Sequence, residues 1–472
     1  MDRYFIRAAV CFCLNLGLGL CAQTLPPQEE TNAPPSDRQS TAEVGEGPTA
    51  PVLPAPLGGF NPRLTQAETA EQQPNLLTGS IGVNALYIDN AFSSGSSTVA
   101  DYQYSVLPSV GFQTFGRQTQ WTMNYAGGVT INQRAVGNSQ QTHDGALDFR
   151  HEFTRHLSTE VRQDYTMTNN PFVQIGANDL LSTVTGPGQL SPFAVPQPVT
   201  RISSISTANL MYQLARHSAM GVSGSFSLQN FRNAEALAGT GGALVDTTNG
   251  SGRAFYLSQI SRHHAIGTEY QLQDLSFDGG VAHTMDQVVY LFDGMSFQRN
   301  MTLSIYAGPE FTHTHNVILA RPGAAPAVLP VVGNVWSLGG GFAFAWRGKR
   351  NGLRVAADRS VSDGSGWGGA VRLNTASLEL MRAFNSRWSV NCTLAYSDGR
   401  TIGVPSNLDA GKITTEQGLL GLSYRWTHNL SLTTQYGRIK QPHAGLFTST
   451  LNPDHNEILA GVSYSFEKGF PK

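Results

Sequence analysis

The stretch "RWSVNCTLAYSDGR", residues 387–400, reads as two interleaved sequences. Trp388, Val390, Cys392, Leu394 and Tyr396 are apolar, and Ser389, Asn391, Thr393, Ala395 and Ser397 are small or polar. A period of two is the mark of a β-strand with one apolar face and one wet face. In a soluble sandwich the apolar face packs a core. In a transmembrane barrel it faces lipid, and the polar face lines a lumen. The rest of the chain decides between them.

The chain has 472 residues, of which 40% are hydrophobic and 14% charged. Its net charge of -2 supplies no basic surface for a nucleic-acid partner. The N-terminus "MDRYFIRAAVCFCLNLGLGLCAQ" has the layout of a secretory signal: Arg3 and Arg7, an apolar run from Ala8 to Leu20, then small residues. Cleavage after Ala22 is expected, giving a signal peptide over residues 1–22. Lipid attachment at Cys21 is disfavoured because Leu20 is large. Three of the four cysteines lie in this segment, so only Cys392 remains beyond it, without a disulfide partner or a cysteine-based metal site. Cys392 reads as a small hydrophobe in its apolar series. No later stretch reaches the roughly 18 apolar residues of a membrane helix.

Residues 23–74 are rich in Pro, Glu, Ser and Ala and have no period. They read as a disordered linker, too poor in apolar surface to fold; a tether or a plug is the functional alternative. From Leu76 to Phe466 the alternation returns repeatedly, as in "GSIGVNALY" (Gly79–Tyr87), "WTMNYAGGVTI" (Trp121–Ile131) and "WSLGGGFAFAW" (Trp336–Trp346). About 18 such segments occur, each near the 9–11 residues of a tilted transmembrane strand. Short turns of related chemistry ("FTRHLS", "LARHSA", "ISRHHA", "FNSRWS", "RWTHNLS") alternate with longer polar segments at 89–100, 168–201, 231–252, 313–333 and 400–414. Short turns at one end and long loops at the other belong to outer-membrane barrels. Trp121, Trp346, Trp388 and Trp426 sit beside the short turns. Tyr87, Tyr125, Tyr165, Tyr396 and Tyr436 sit toward the opposite ends, as two interfacial girdles would.

The segment "AGVSYSF" (Ala460–Phe466) resembles the C-terminal insertion signal of Gram-negative outer-membrane proteins, a glycine followed by alternating aromatic or apolar residues. It departs from that signal in its tail, "EKGFPK". With the leader and the alternation, the chain resembles porin-like outer-membrane β-barrels. The expected fold is all-β: one antiparallel up-and-down transmembrane barrel over residues 75–472, with about 18 strands and 16 as the alternative. The resemblance implies passive diffusion of small polar solutes across the bacterial outer membrane. It implies no enzymatic chemistry and no cofactor. Its implied partners are outer-membrane lipid, lipopolysaccharide and the assembly machinery that reads the last strand. A polymer export channel, for instance for exopolysaccharide, a lipase-like barrel enzyme and a soluble secreted β-protein are the rivals.

If the apolar series faces lipid, the opposite series names the lumen wall. It includes Asp148, Arg150 and Glu152, then Glu160, Arg162 and Asp164, and elsewhere Glu269, Arg354, Asp358, Glu379 and Arg425. Mixed charges suit a hydrated channel, where they set selectivity; ladder salt bridges that brace the wall are the plainer reading. Other motifs fail on spacing. "HEFTRH" (His151–His156) has Arg155 where a zincin helix needs histidine. "THTH" (Thr312–His315) offers two imidazoles and no third ligand. "GVSGS" (Gly221–Ser225) has its glycines misplaced for a nucleophile elbow. Two loops are apolar for their place, Pro171–Val199 and Asn316–Gly333. The first is expected to fold inward as a constriction carrying Phe172, Ile175, Leu180, Leu181 and Phe193.

Overall fold

The computed structural model describes residues 75–91, 99–134, 140–168, 199–232, 244–297, 300–321, 324–364, 369–403, 412–444 and 454–470. The expected signal peptide and linker, residues 1–74, lie outside them, as do Phe172, Ile175, Leu180, Leu181 and Phe193.

Eighteen strands make one sheet. The first six are β1 (Asn75–Ile88), β2 (Asp101–Phe115), β3 (Thr119–Asn132), β4 (Gln140–Glu152), β5 (Leu157–Thr168) and β6 (Thr200–Ala215). Next come β7 (Ser218–Arg232), β8 (Thr247–Ser261), β9 (His264–Phe277), β10 (Ala282–Phe297), β11 (Met301–Arg321) and β12 (Ala324–Arg347). The last six are β13 (Asn351–Ser362), β14 (Val371–Ala383), β15 (Trp388–Thr401), β16 (Lys412–Arg425), β17 (Leu430–Ala444) and β18 (His455–Phe470). Every strand pairs antiparallel with the next. The ring closes where β1 meets β18, from Asn75 opposite Phe470 to Ile88 opposite Glu457. Closure leaves no sheet edge to be satisfied by lipid.

Directly opposed residues share a face, so the register carries one parity around the whole ring. Starting from β15, Ser389, Thr393 and Ala395 face the same side as Ser423, Leu419 and Gln417 on β16. Carried through every pair, that side returns to itself at β18 and β1. It is the inner side. On β2 the inward Gln103 is 6% exposed and the outward Tyr104 is 51% exposed. Val83, Tyr125, Val161, Val222, Tyr270, Val289 and Tyr396 belong to the same outward, exposed series. Thus Leu394 points out and Thr393 points in, as the alternation requires.

The ends of the apolar band are marked on β9 and β10. His264 and Asp293 meet at 2.6 Å near one end, and His283 and Asp274 at 2.5 Å near the other. Both pairs lie on the outward series, with Ile266, Tyr270, Leu272, Val289 and Leu291 between them. A strand rising about 3.3 Å per residue at a tilt of about 40° covers a band about 25 Å tall over such a span.

Three of the short turns share one device. Thr154 Oγ1 accepts from the backbone N–H of His156 and Leu157 (3.2 and 3.1 Å). Asn385 Oδ1 accepts from Arg387 and Trp388 (both 2.8 Å). Thr427 Oγ1 accepts from Asn429 and Leu430 (3.3 and 3.0 Å). Side chains of this kind satisfy turn amides that have no ladder partner.

Two expected loops are corrected. The segment 313–333 is mostly strand, because β11 runs to Arg321 and β12 starts at Ala324. The pairing continues with shifts at His315/Val317, where Asn316 takes φ 58°, and at Leu319/Arg321. β-branched and apolar residues suit extended pairing, and the apolar character that read as an unusual loop belongs to a hairpin. Likewise residues 247–252 open β8 rather than ending a loop.

Candidate functional site

The inner face carries the charged and polar groups, and it divides into two arcs. On β4 and β5, Asp148 stands opposite Arg162, Arg150 opposite Glu160, and Glu152 opposite Ser158. Arg162 grips Asp164 with two bonds, Nε to Oδ2 at 2.7 Å and Nη2 to Oδ1 at 3.0 Å. Arg150 reaches Glu152 at 3.3 Å. Opposite signs alternate here in the plane of the wall, and the side chains are half-buried to exposed. A recess of about 270 Å³ lies beside this arc, lined in part by Asn84, Gln103, Ser105, Thr166 and Glu457.

The second arc runs over β8–β14. Glu269 on β9 is 1% exposed, with Arg253 of β8 3.9 Å away. Beside them Tyr290 and Tyr306 meet edge to face, their ring centres 5.4 Å apart. The Tyr306 hydroxyl donates to Asp358 Oδ1, and Ser360 donates to its Oδ2 at 2.6 Å. Thr312 donates to Asp286 Oδ1 at 2.8 Å, and Ser337 to Glu310 Oε2 at 2.6 Å. Further round, Arg354 and Glu379 lie opposite one another at 3.8 Å. Carboxylates dominate this arc, and hydroxyl donors hold several of them in place.

The register puts every charged residue named from the alternation on the inner series: Asp148, Arg150, Glu152, Glu160, Arg162, Asp164, Glu269, Arg354, Asp358, Glu379 and Arg425. They do not form one cluster. Arg425 stands alone at the short-turn end of β16, opposite Ser431 and exposed. Asp286, Glu310 and Arg253 follow the same parity, and extending the alternation through "AHTMDQVVYLF" and "IYAGPEF" would have found the two carboxylates. His313, by contrast, lies on the outward series and is bonded to Asn334 Oδ1 through Nδ1 (2.6 Å).

Arg372 is the residue that parity misplaces. β12 and β13 pair from Arg347 opposite Gly352 only as far as Gly340 opposite Arg359. Beyond that point β12 continues with β11, and β13 continues with β14 to Ser362 opposite Val371. Gly340 has φ 155°, and a Cβ there would lie 2.6 Å from the Tyr306 carbonyl oxygen. Only glycine fits the point where the two strands part. The freed ends of β13–β15 pack across the barrel: Val361, Ala370 and Ile402 form one apolar cluster with Val245, Leu275, Phe277 and Ala282. Thr247 adds a hydrogen bond to Asp363 at 3.3 Å. Val361 and Arg372 are opposite one another on the series that elsewhere faces out. Here Val361 of that series packs instead against Leu275 and Phe277 of β9 and Ala282 of β10.

No protein-family model matches the chain, and no curated protein matches it in sequence. Among solved structures it is similar to the outer membrane protein opdK from Pseudomonas aeruginosa, at 10% identity and a TM-score of 0.40, covering 83% of this chain and 99% of that one. It is likewise similar to OccAB4 from Acinetobacter baumannii (10% identity, TM-score 0.41, 84% and 100% covered). OccK2 (OpdF) from Pseudomonas aeruginosa gives 10%, 0.43, and 84% and 100%. The strand count and closure rest on this chain's own pairing: it is an 18-stranded antiparallel β-barrel with an apolar outer face and a polar inner one.

Proposed function

We propose that the protein spans the bacterial outer membrane and passes small polar solutes by diffusion, with no covalent chemistry. One observation carries the reading: one parity runs through the closed ring, with most exposed large apolar side chains on its outer series and the charged residues named above on its inner one. Lipid suits the first face, because every backbone group of the ladder is already paired. Water and solute suit the second. A barrel of this strand count is also too wide for wall side chains alone to fill. The leader over residues 1–22 supports export, and the last strand, β18, supports recognition by the assembly machinery. Lipopolysaccharide and lipid are the surroundings expected at the outer girdle.

The test is conductance of the purified protein in a planar bilayer in KCl, with heat-modifiable gel migration as the check on folding. Discrete steps of current support the reading. A folded barrel that never conducts overturns it in favour of a plugged or scaffold barrel. The stretch Pro171–Val199 belongs to the same proposal as an inward constriction stiffened by Pro187, Pro192, Pro196 and Pro198. Removing residues 174–194 should then raise the conductance of a well-folded barrel. Unchanged conductance would place that segment outside the path.

A further inference from the structure

We propose that the recess at the long-loop end of the inner wall, between β18 and β5, binds small organic cations in which a primary ammonium is joined to a hydrocarbon body. The proposal rests on the channel reading and adds a solute class to it.

The recess holds about 270 Å³ and is lined by β1–β5 and β18. Its charge is of one sign: Glu457 and Asp144 line it, with no lysine or arginine among the described residues. The lining histidine, His143, belongs to the outward series, where its Nδ1 shares a hydrogen bond of 2.8 Å with the Tyr125 hydroxyl. Asp144 is exposed and accepts from Thr166 Oγ1 at 3.2 Å. Glu457 differs. It is 4% exposed, and among the described residues no hydrogen bond or ion pair holds its carboxylate. Its neighbours across the ladder are Ile88 on β1 and Gly437 on β17, which have no side-chain donor. A carboxylate taken out of water stays charged only at a large cost unless a cation or hydrogen-bond donors reach it.

Apolar side chains adjoin that carboxylate. Leu459 is two residues from Glu457 on the same face of β18, and Leu86 stands directly opposite Leu459. Leu107 of β2 joins them in the lining. All three lie on the inner series and are half-buried. On a face that is otherwise wet, each gains from contact with hydrocarbon.

One solute can satisfy both needs. Its ammonium would donate to the Glu457 carboxylate, and its hydrocarbon would cover the leucines. A small hydrated cation would leave the leucines wet. A hydrocarbon anion would meet two carboxylates and no lysine or arginine. The recess therefore favours the amphiphilic cation over either alternative.

Binding is read by saturation-transfer NMR on the purified full-length barrel in deuterated detergent, with butylamine as the probe and methylamine and butyrate as controls. Butylamine should bind about tenfold more tightly than methylamine, the difference made by the leucine contacts, and butyrate should bind no better than methylamine. Glu457→Gln should weaken butylamine about tenfold, and Leu459→Ser should bring it close to methylamine. Heat-modifiable migration identifies variants that fold, and the comparison of the three solutes on the unmutated barrel stands even if a variant does not. Equal affinity for all three, no binding of butylamine, or unchanged binding in a folded Glu457→Gln barrel overturns the proposal. KCl conductance of the same preparation judges the channel reading separately. Current without butylamine binding overturns the solute class alone, and butylamine binding to a folded barrel without current keeps the site and overturns the channel.

Discussion

The β4–β5 arc and the β8–β14 arc obey the same parity and carry the same kinds of charged residue, yet their surroundings differ. Asp148, Arg150, Glu160, Arg162 and Asp164 answer one another within the plane of the wall, with Arg162 more than half exposed. Glu269, Asp286 and Glu310 are buried and Asp358 half-buried, and tyrosine, serine and threonine hydroxyls donate to Asp286, Glu310 and Asp358. The difference is one of water. Exposed pairs are screened and worth little to stability, whereas groups taken out of water must be satisfied by the protein or by something that binds. The first arc has the character of a solvated wall and the second that of a built site.

The sharpest break in this comparison is Arg253→Ala. It should cost about 3–5 kcal/mol, because Glu269 would remain buried without its cation. Urea unfolding of the barrel in lipid vesicles reads that loss, and the paired change Arg253→Met with Glu269→Gln should recover much of it. A loss no larger than in the other arc would show that water reaches Glu269. Next comes Leu394→Arg, which tests whether both arcs share the inner face at all. An arginine near the bilayer midplane on the lipid side costs about 2–4 kcal/mol, so assembly should fail, while Thr393→Arg should still give a heat-modifiable barrel. The reverse pattern would invert the faces. The smallest effect is expected for Arg162→Ala, below about 1 kcal/mol in the same urea assay despite its two-point bond to Asp164. A loss comparable to that of Arg253→Ala would erase the distinction between the arcs.

Much of this architecture was legible from period two alone. Trp388 through Tyr396 announce an outward face, and Ser389 through Ser397 an inward one. The charged positions follow because strand parity is a local property of the backbone. The turns were legible too, since Thr154, Asn385 and Thr427 act on amides two and three residues away. The hairpin of β11 and β12 was missed at Asn316–Gly333, where prolines and two register shifts interrupt the alternation that marks a strand.

What the sequence by itself determined is therefore the strand count, the two faces and the chemistry of the inner wall. Each depends on neighbours within a few residues. The tertiary structure alone decided which carboxylates lose their water and where the ends of β13–β15 lean inward. Both depend on β13 leaving β12 at Gly340 and on Val361, Ala370 and Ile402 finding Val245, Leu275, Phe277 and Ala282 across the barrel. Alternation along one strand carries no record of such a lean, because the contacts that hold it join segments 79 or more residues apart in the chain, a separation at which local backbone geometry says nothing about proximity.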